Sequence, residues 1–188
     1  AELFANGPHM ATHTWELGNA NLGLERSNSV ELGLERRCGL HPMKFSMYDS
    51  RFDNFIGLMG QGSAQGGLPE YAYAGVRARL RGWEASGQSR ILQSVLQDQG
   101  ALDLHWHADR VLADNLSSGQ PLPRIAPWRA GLSAVYRQGA WQARLGFDHA
   151  AAQQRVPEGS APTASYTLWH AGLNYRQKTG MGSIHWFA

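Results

Sequence analysis

Four of the chain's eight histidines stand at spacings that suit a metal ion. His9 and His13 are separated by three residues, and Glu16 follows His13 by three, all within one connector. Neutral imidazole and carboxylate are good zinc ligands, and a loop can bring two such histidines together. Completing the shell would need groups from elsewhere; the plainer alternative is a pair of exposed loop histidines. His105 and His107, flanked by Asp103 and Asp109, point the same way if this segment is a strand. Next-but-one residues of a strand can chelate one ion, or can simply form a hydrated wall. His149 and His170 fall on or near expected strand ends and read as structural or solvent-exposed. Arg77, Arg79 and Arg81 share a face and could form a basic stripe in the lumen of a barrel, with pairing to carboxylates on neighbouring strands the commoner outcome. No nucleophile with a base stands out. There is no Gly-x-Ser-x-Gly elbow, and Cys38 lacks a His/Asn arrangement. The glycine-rich tract Gly57 to Gly67 follows no βαβ pattern and has no Gly-Lys-Ser/Thr ending, so it reads as a flexible external loop. No catalytic residue is assigned, no cofactor is expected, and the chain is not read as an enzyme.

The elements that must position these residues are strands. Leu102, Leu104, Trp106 and Ala108 alternate with Asp103, His105, His107 and Asp109, a period of two. The same alternation recurs in Val76–Arg81, Arg129–Arg137 (Val135 excepted), Trp141–Asp148, Trp169–Arg176 and Ser29–Glu35. A helix would scatter these apolar residues around its circumference. Strands are expected near 28–37, 44–58, 71–85, 101–112, 125–137, 140–150 and 166–177, with truncated strands at 1–5 and 183–188. The stretch Ile91 to Gln97 could instead be a short helix. Short connectors (Gly39–Pro42, Gln138–Gly139, Lys178–Gly182) alternate with longer ones (Gly60–Glu70, Leu116–Arg124, Val156–Ser165), apart from a longer stretch at Gln88 to Gly100. An up-and-down antiparallel sheet with tight turns on one rim and elaborated loops on the other produces this pattern.

Composition bounds the class. The 188 residues carry 17 Lys and Arg against 15 Asp and Glu, so bulk charge does not point to nucleic acid. A 43% hydrophobic, 17% charged chain does not have the composition of a disordered one. One cysteine excludes an intramolecular disulfide and a Cys-based zinc finger. The first residues lack the basic and apolar regions of a signal peptide, and no apolar run is long enough for a membrane helix. Alternating strands leave two solutions open: a soluble β-sandwich or lipocalin-like binding module with its apolar face inward, or a membrane barrel with that face outward. Trp128, Tyr136, Trp141, Trp169, Tyr175 and Trp186 near strand ends fit the interfacial girdles of a barrel.

The first 34 residues, AELFANGPHMATHTWELGNANLGLERSNSVELGL, resemble the late barrel region of TonB-dependent outer-membrane receptors. A strand ending in a motif like Glu2-Leu3-Phe4 leads there into an external loop with a Gly-Asn-x-Asn-Leu-x-x-Glu pattern, here Gly18 to Glu25. The family usually has Pro at Ala20 and Lys-Pro at Gly23-Leu24, so the loop has drifted. Arg51–Ile56, Gly75-Val76-Arg77, Gly82-Trp83-Glu84-Ala85 and Arg124-Ile125-Ala126-Pro127 look like later strands of the family, in order. Within it, Gly7 to Glu16 looks most like the ZnuD-type zinc-uptake branch. The resemblance implies an all-β, antiparallel up-and-down transmembrane β-barrel. Residues 1–188 would be a C-terminal fragment of a larger plugged barrel of about 22 strands, without plug, early strands or last strand. It further implies a receptor that captures and takes up a metal, zinc in the first place, with haem or a ferric siderophore as the alternative cargo. The implied location is the outer membrane of a Gram-negative bacterium. The implied partners are outer-membrane lipid, the metal or metal chelate, and TonB through the absent plug, with no nucleic acid. His9, His13 and Glu16 would be metal ligands in an external loop, His105 and His107 possible ligands in the lumen.

Overall fold

A computed structural model describes residues 2–94 and 100–188. The described residues form ten strands: β1 (Asn6–His9), β2 (Thr14–Leu17), β3 (Ser27–Arg36), β4 (Met43–Gln65), β5 (Leu68–Ser94), β6 (Gly100–Asn115), β7 (Arg129–Gln138), β8 (Trp141–Ala150), β9 (Tyr166–Thr179) and β10 (Gly182–Phe187). All lie in one sheet. From β3 through β10 each strand pairs antiparallel with the next in sequence. The β1–β2 hairpin joins the same sheet through a parallel pairing of Trp15–Leu17 with Glu70–Ala72 of β5. It takes the strip of the β5 edge above Ala78, where β6 has ended. Among the described residues no second sheet covers this one, so the sandwich alternative fails.

Three local expectations are corrected. The expected truncated strand at 1–5 is a turn over residues 2–4, and the first strand starts at Asn6. The expected flexible loop at Gly57–Gly67 is mostly strand. β4 runs to Gln65, and Gly66 and Gly67, with φ of 59° and 79°, make a two-residue reversal into β5. Paired positive φ is the geometry a tight hairpin requires, and glycine adopts it without strain. Ile91 to Ser94 continue β5 rather than starting a helix; the rest of that expected helix, 95–97, lies outside the described residues. β5 is 27 residues long, whereas about 9–11 residues cross a bilayer. The excess stands beyond the long-loop rim.

The two faces of the sheet are dressed differently along its height. In the lower part, Leu34, Phe45, Ala85, Ala108 and Ala130 form one cross-strand row. Leu132, Leu145, Trp169 and Leu173 belong to the same face and remain 38%, 59%, 71% and 47% exposed, with Leu104 on that face half-buried. An unburied apolar face of this extent is the surface a bilayer covers. Trp141 stacks against Tyr175 at one end (ring centroids 4.4 Å apart) and Phe147 against Trp169 at the other (5.3 Å). The two belts lie six residue steps apart along β8, roughly 20 Å at about 3.4 Å per residue, close to the ~25 Å apolar band of an outer-membrane barrel.

Above Trp83 the dressing inverts. Ala78, Leu80 and Ala113 now point to the opposite, inner face, where Ala78 and Ala113 pack with Leu122 into the buried core, against Phe52, Phe55, Met59, Val76 and Ile125. Arg79 and Arg81 point outward. The inversion follows from the medium: where lipid no longer wets the outer face, apolar side chains turn inward beneath the loops and charge turns out.

Candidate functional site

The inner face of the lower sheet is a polar wall. Asp103 is fully buried on it and is shared by two guanidinium groups, Arg90 from the adjacent strand β5 and Arg137 from β7. Two charge-assisted partners on one carboxylate lock three strands in register. Arg129 reaches Asp109 at 3.0 Å, and Ser46 donates to Glu84 at 3.0 Å.

Beside these pairs lies a concavity of ≈ 680 Å³ whose lining includes His105, His107, Ser133, Asp148 and His170. Its polar groups form one chain across four strands. His107 Nε2 lies 3.3 Å from Asp148 Oδ1, His170 Nδ1 lies 3.5 Å from Asp148 Oδ2, and His170 Nε2 lies 3.0 Å from Ser133 Oγ. The register explains the gathering. His107, Gly131 and Asp148 form one cross-strand row; His105, Ser133, Gly146 and His170 form the next. Two glycines make room for it. A Cβ at Gly131 would lie 2.8 Å from His107 Nε2, and one at Gly146 would lie 2.6 Å from His170 Nε2. Either contact would push the imidazole out of the chain.

Ser133, His170 and Asp148 stand in the order of a hydrolase relay, but Ser133 sits mid-strand with both flanking edges paired. The backbone N–H groups that would form an oxyanion hole are held in the ladder.

His9, His13 and Glu16 lie together on the β1–β2 hairpin but their donors diverge. His9 Nδ1 is bonded to Thr12 Oγ1 at 2.9 Å, and His13 occupies the turn with φ of 50°. Glu16 faces Arg124 at 3.7 Å and accepts from Thr14 Oγ1 at 3.4 Å. Both histidines are exposed. Among the described residues no three His, Cys, Asp or Glu side chains are drawn into a preformed metal cage. Of the expected lumen pair, His107 enters the polar chain, and His105 keeps a buried Nε2 without a hydrogen-bond partner. His149 sits near a strand end against Thr167 and Trp128, as expected.

Two further readings change. His170 was expected near a strand end; it lies within β9 and joins the polar chain. The Arg77–Arg81 stripe does not line the lumen, whereas the expected pairing with carboxylates on neighbouring strands holds for two of its members. Cross-strand register puts Arg79 and Arg81 on the other face, paired with Asp49 and Asp114. The sequence does not reveal Asp148, His170 and Ser133 as one group because each stands on a different strand, and only pairing across β7, β8 and β9 joins them.

The Gly18–Glu25 segment is a fastening. Gly18 donates to the Ala5 carbonyl at 2.6 Å, where a Cβ would collide with backbone. Asn19 Oδ1 accepts from Asn21 N at 2.9 Å, and Glu25 accepts from Ile56 N at 2.9 Å. Asn54, in the irregularity between Phe52 and Phe55, donates to the Gly23 and Leu24 carbonyls. The loop is thereby tied to the base of the extended β4–β5 hairpin.

This architecture has a counterpart among solved structures. The chain is similar to a chain described as copper transporter OprC, with a TM-score of 0.70 and 18% identity over 82% of this chain. It covers 23% of that transporter, under a quarter of its length. Identity this low carries the fold only. The family model described as TonB dependent receptor-like, beta-barrel matches residues 1–183. That family is one of outer-membrane receptors of Gram-negative bacteria, not of enzymes. With a barrel-type sheet, an unburied apolar face and a polar inner wall, the chain belongs to the TonB-dependent receptor-like β-barrel family.

Proposed function

We propose that this chain is part of the barrel of a longer outer-membrane receptor that captures a metal, zinc in the first instance, and takes it up with energy passed from TonB to a plug domain. The observation that carries the reading is the imidazole–carboxylate chain His107–Asp148–His170 on the inner wall, below a loop hairpin that bears His9 and His13. The fold shared with a copper transporter supports a metal as cargo. In this reading the exposed His9 and His13 make first contact, Glu16 leaves Arg124 to join them, and the plug supplies the remaining ligands. His105 and His107 then offer imidazole nitrogen along the wall. Transport follows from different affinities in two conformational states, with no covalent step.

The test is zinc binding by the full-length receptor, measured by calorimetry, with His9 and His13 both changed to Ala. About tenfold weaker binding, near 1.4 kcal/mol, is expected. Unchanged zinc affinity removes the metal-loop reading, and tighter binding of a haem or ferric chelate than of free zinc would replace the cargo.

A further inference from the structure

The inner wall sets a hydroxyl against a base. His170 Nε2 lies 3.0 Å from Ser133 Oγ, and His170 Nδ1 lies 3.5 Å from Asp148 Oδ2. The imidazole reaches from β9 across β8 to β7, two strand spacings or roughly 10 Å between backbones. Gly146 is the residue it crosses, and a Cβ there would strike both Ser133 Oγ and His170 Nε2. The Asp148 carboxylate beside Nδ1 selects the tautomer protonated at that nitrogen. Nε2 is then the acceptor, and the Ser133 hydroxyl donates to it. A serine so paired can give up its proton as it attacks.

Arg144 completes the arrangement. It stands two residues before Gly146 on β8 and so shares the inner face. It lines the same ≈ 680 Å³ concavity as Ser133, Asp148 and His170. It is exposed, and among the described residues it has no ion-pair partner. A free guanidinium fork binds a carboxylate through two parallel hydrogen bonds. The concavity therefore offers an anchor for an anionic group beside a hydroxyl with its base.

We propose that Ser133 is a covalent modification site that takes one acyl group from an activated ester bearing a carboxylate, with Arg144 holding that carboxylate. Ser133 Oγ attacks the ester carbonyl carbon while its proton passes to His170 Nε2. The new Oγ–C bond replaces the bond from that carbon to the leaving oxygen, which takes the proton from His170 and departs as the alcohol. The backbone N–H groups around Ser133 are held in the ladder, so nothing assists a second attack by water. The acyl group stays on Ser133, in a single transfer without turnover. The site shares Asp148 and His170 with the polar chain but needs no metal, so it stands or falls separately from the cargo reading.

The experiment treats the full-length receptor in detergent, with a chelator present, with the 4-nitrophenyl monoester of succinic acid and, separately, with 4-nitrophenyl acetate. Adducts are located by peptide mass spectrometry. A succinyl group on Ser133 is expected, with stoichiometric release of nitrophenolate and none of this adduct in Ser133→Ala. His170→Gln should acylate at least about tenfold more slowly, the low side of what a positioned base supplies. The succinate ester should outpace the acetate, and Arg144→Gln should remove that advantage. Acylation confined to amines such as Lys44, with Ser133 unmodified, overturns the proposal. So does an undiminished rate in His170→Gln, and an advantage kept in Arg144→Gln overturns the carboxylate anchor. If His170→Gln yields no folded receptor, Asp148→Asn serves instead: slower acylation of Ser133 supports the relay, and a wild-type rate overturns it.

Discussion

Gly131 and Gly146 are the positions on which the polar chain turns. Neither has an unusual φ, so their role is close approach and not conformational freedom. Gly146→Val should dislodge His170 from Ser133. Overpacking of this kind costs about 1–3 kcal/mol, to be read as a lower unfolding midpoint of the full-length receptor in detergent. An unchanged midpoint together with an unshifted His170 imidazole resonance would show that the chain is not built as described. Asp103 makes a sharper case, because Arg90 and Arg137 both depend on it. Asp103→Ala leaves two cations facing each other across β6. Both arginines keep access to water, so the loss should fall at about 2–3 kcal/mol rather than at the upper end for a buried ion pair. Denaturant titration reads it directly, and a change below half a kcal/mol would contradict the bridging role.

At the scale of the element, the inversion of dressing along β5 and β6 is the informative feature. Below it, a charge placed on the outer face meets hydrocarbon; above it, the same charge meets water. Leu145→Lys, between the two aromatic belts, should therefore cost about 2–4 kcal/mol, and Leu112→Lys, at the rim, about 0–1 kcal/mol. Equilibrium unfolding of the full-length receptor in vesicles measures both, and equal costs would dismiss the depth assignment. The inversion also accounts for one misreading of the sequence. Arg77, Arg79 and Arg81 alternate with Val76, Ala78 and Leu80 as cleanly as any strand in the chain. Alternation says which residues share a face, and says nothing about whether lipid, water or a packed core lies against it.

For the whole molecule, the decisive facts are one open sheet and an unburied apolar face. β3 and β10 each pair on one side only among the described residues, and nearly every residue of both is exposed. Bare strand edges recruit other strands, so the chain expressed by itself should form mixed oligomers in detergent, while the full-length receptor should migrate as one compact species. Light scattering after size exclusion distinguishes them. A single monomer of this chain in buffer without detergent would refute the lipid-facing reading. Several things were legible from the residues alone. Period-two alternation declared strands, short and long connectors declared a two-rimmed up-and-down sheet, and Gly18 to Glu25 with Arg51 to Ile56 pointed to the family. These are properties of neighbouring residues, and local backbone geometry expresses them directly. Three things waited for the fold: the gathering of His107, Asp148, His170 and Ser133, the outward turn of Arg79 and Arg81, and the extended β4–β5 hairpin in place of a loop. Each depends on which residue of one strand lies opposite which residue of another, and hydrogen bonding between distant segments sets that register.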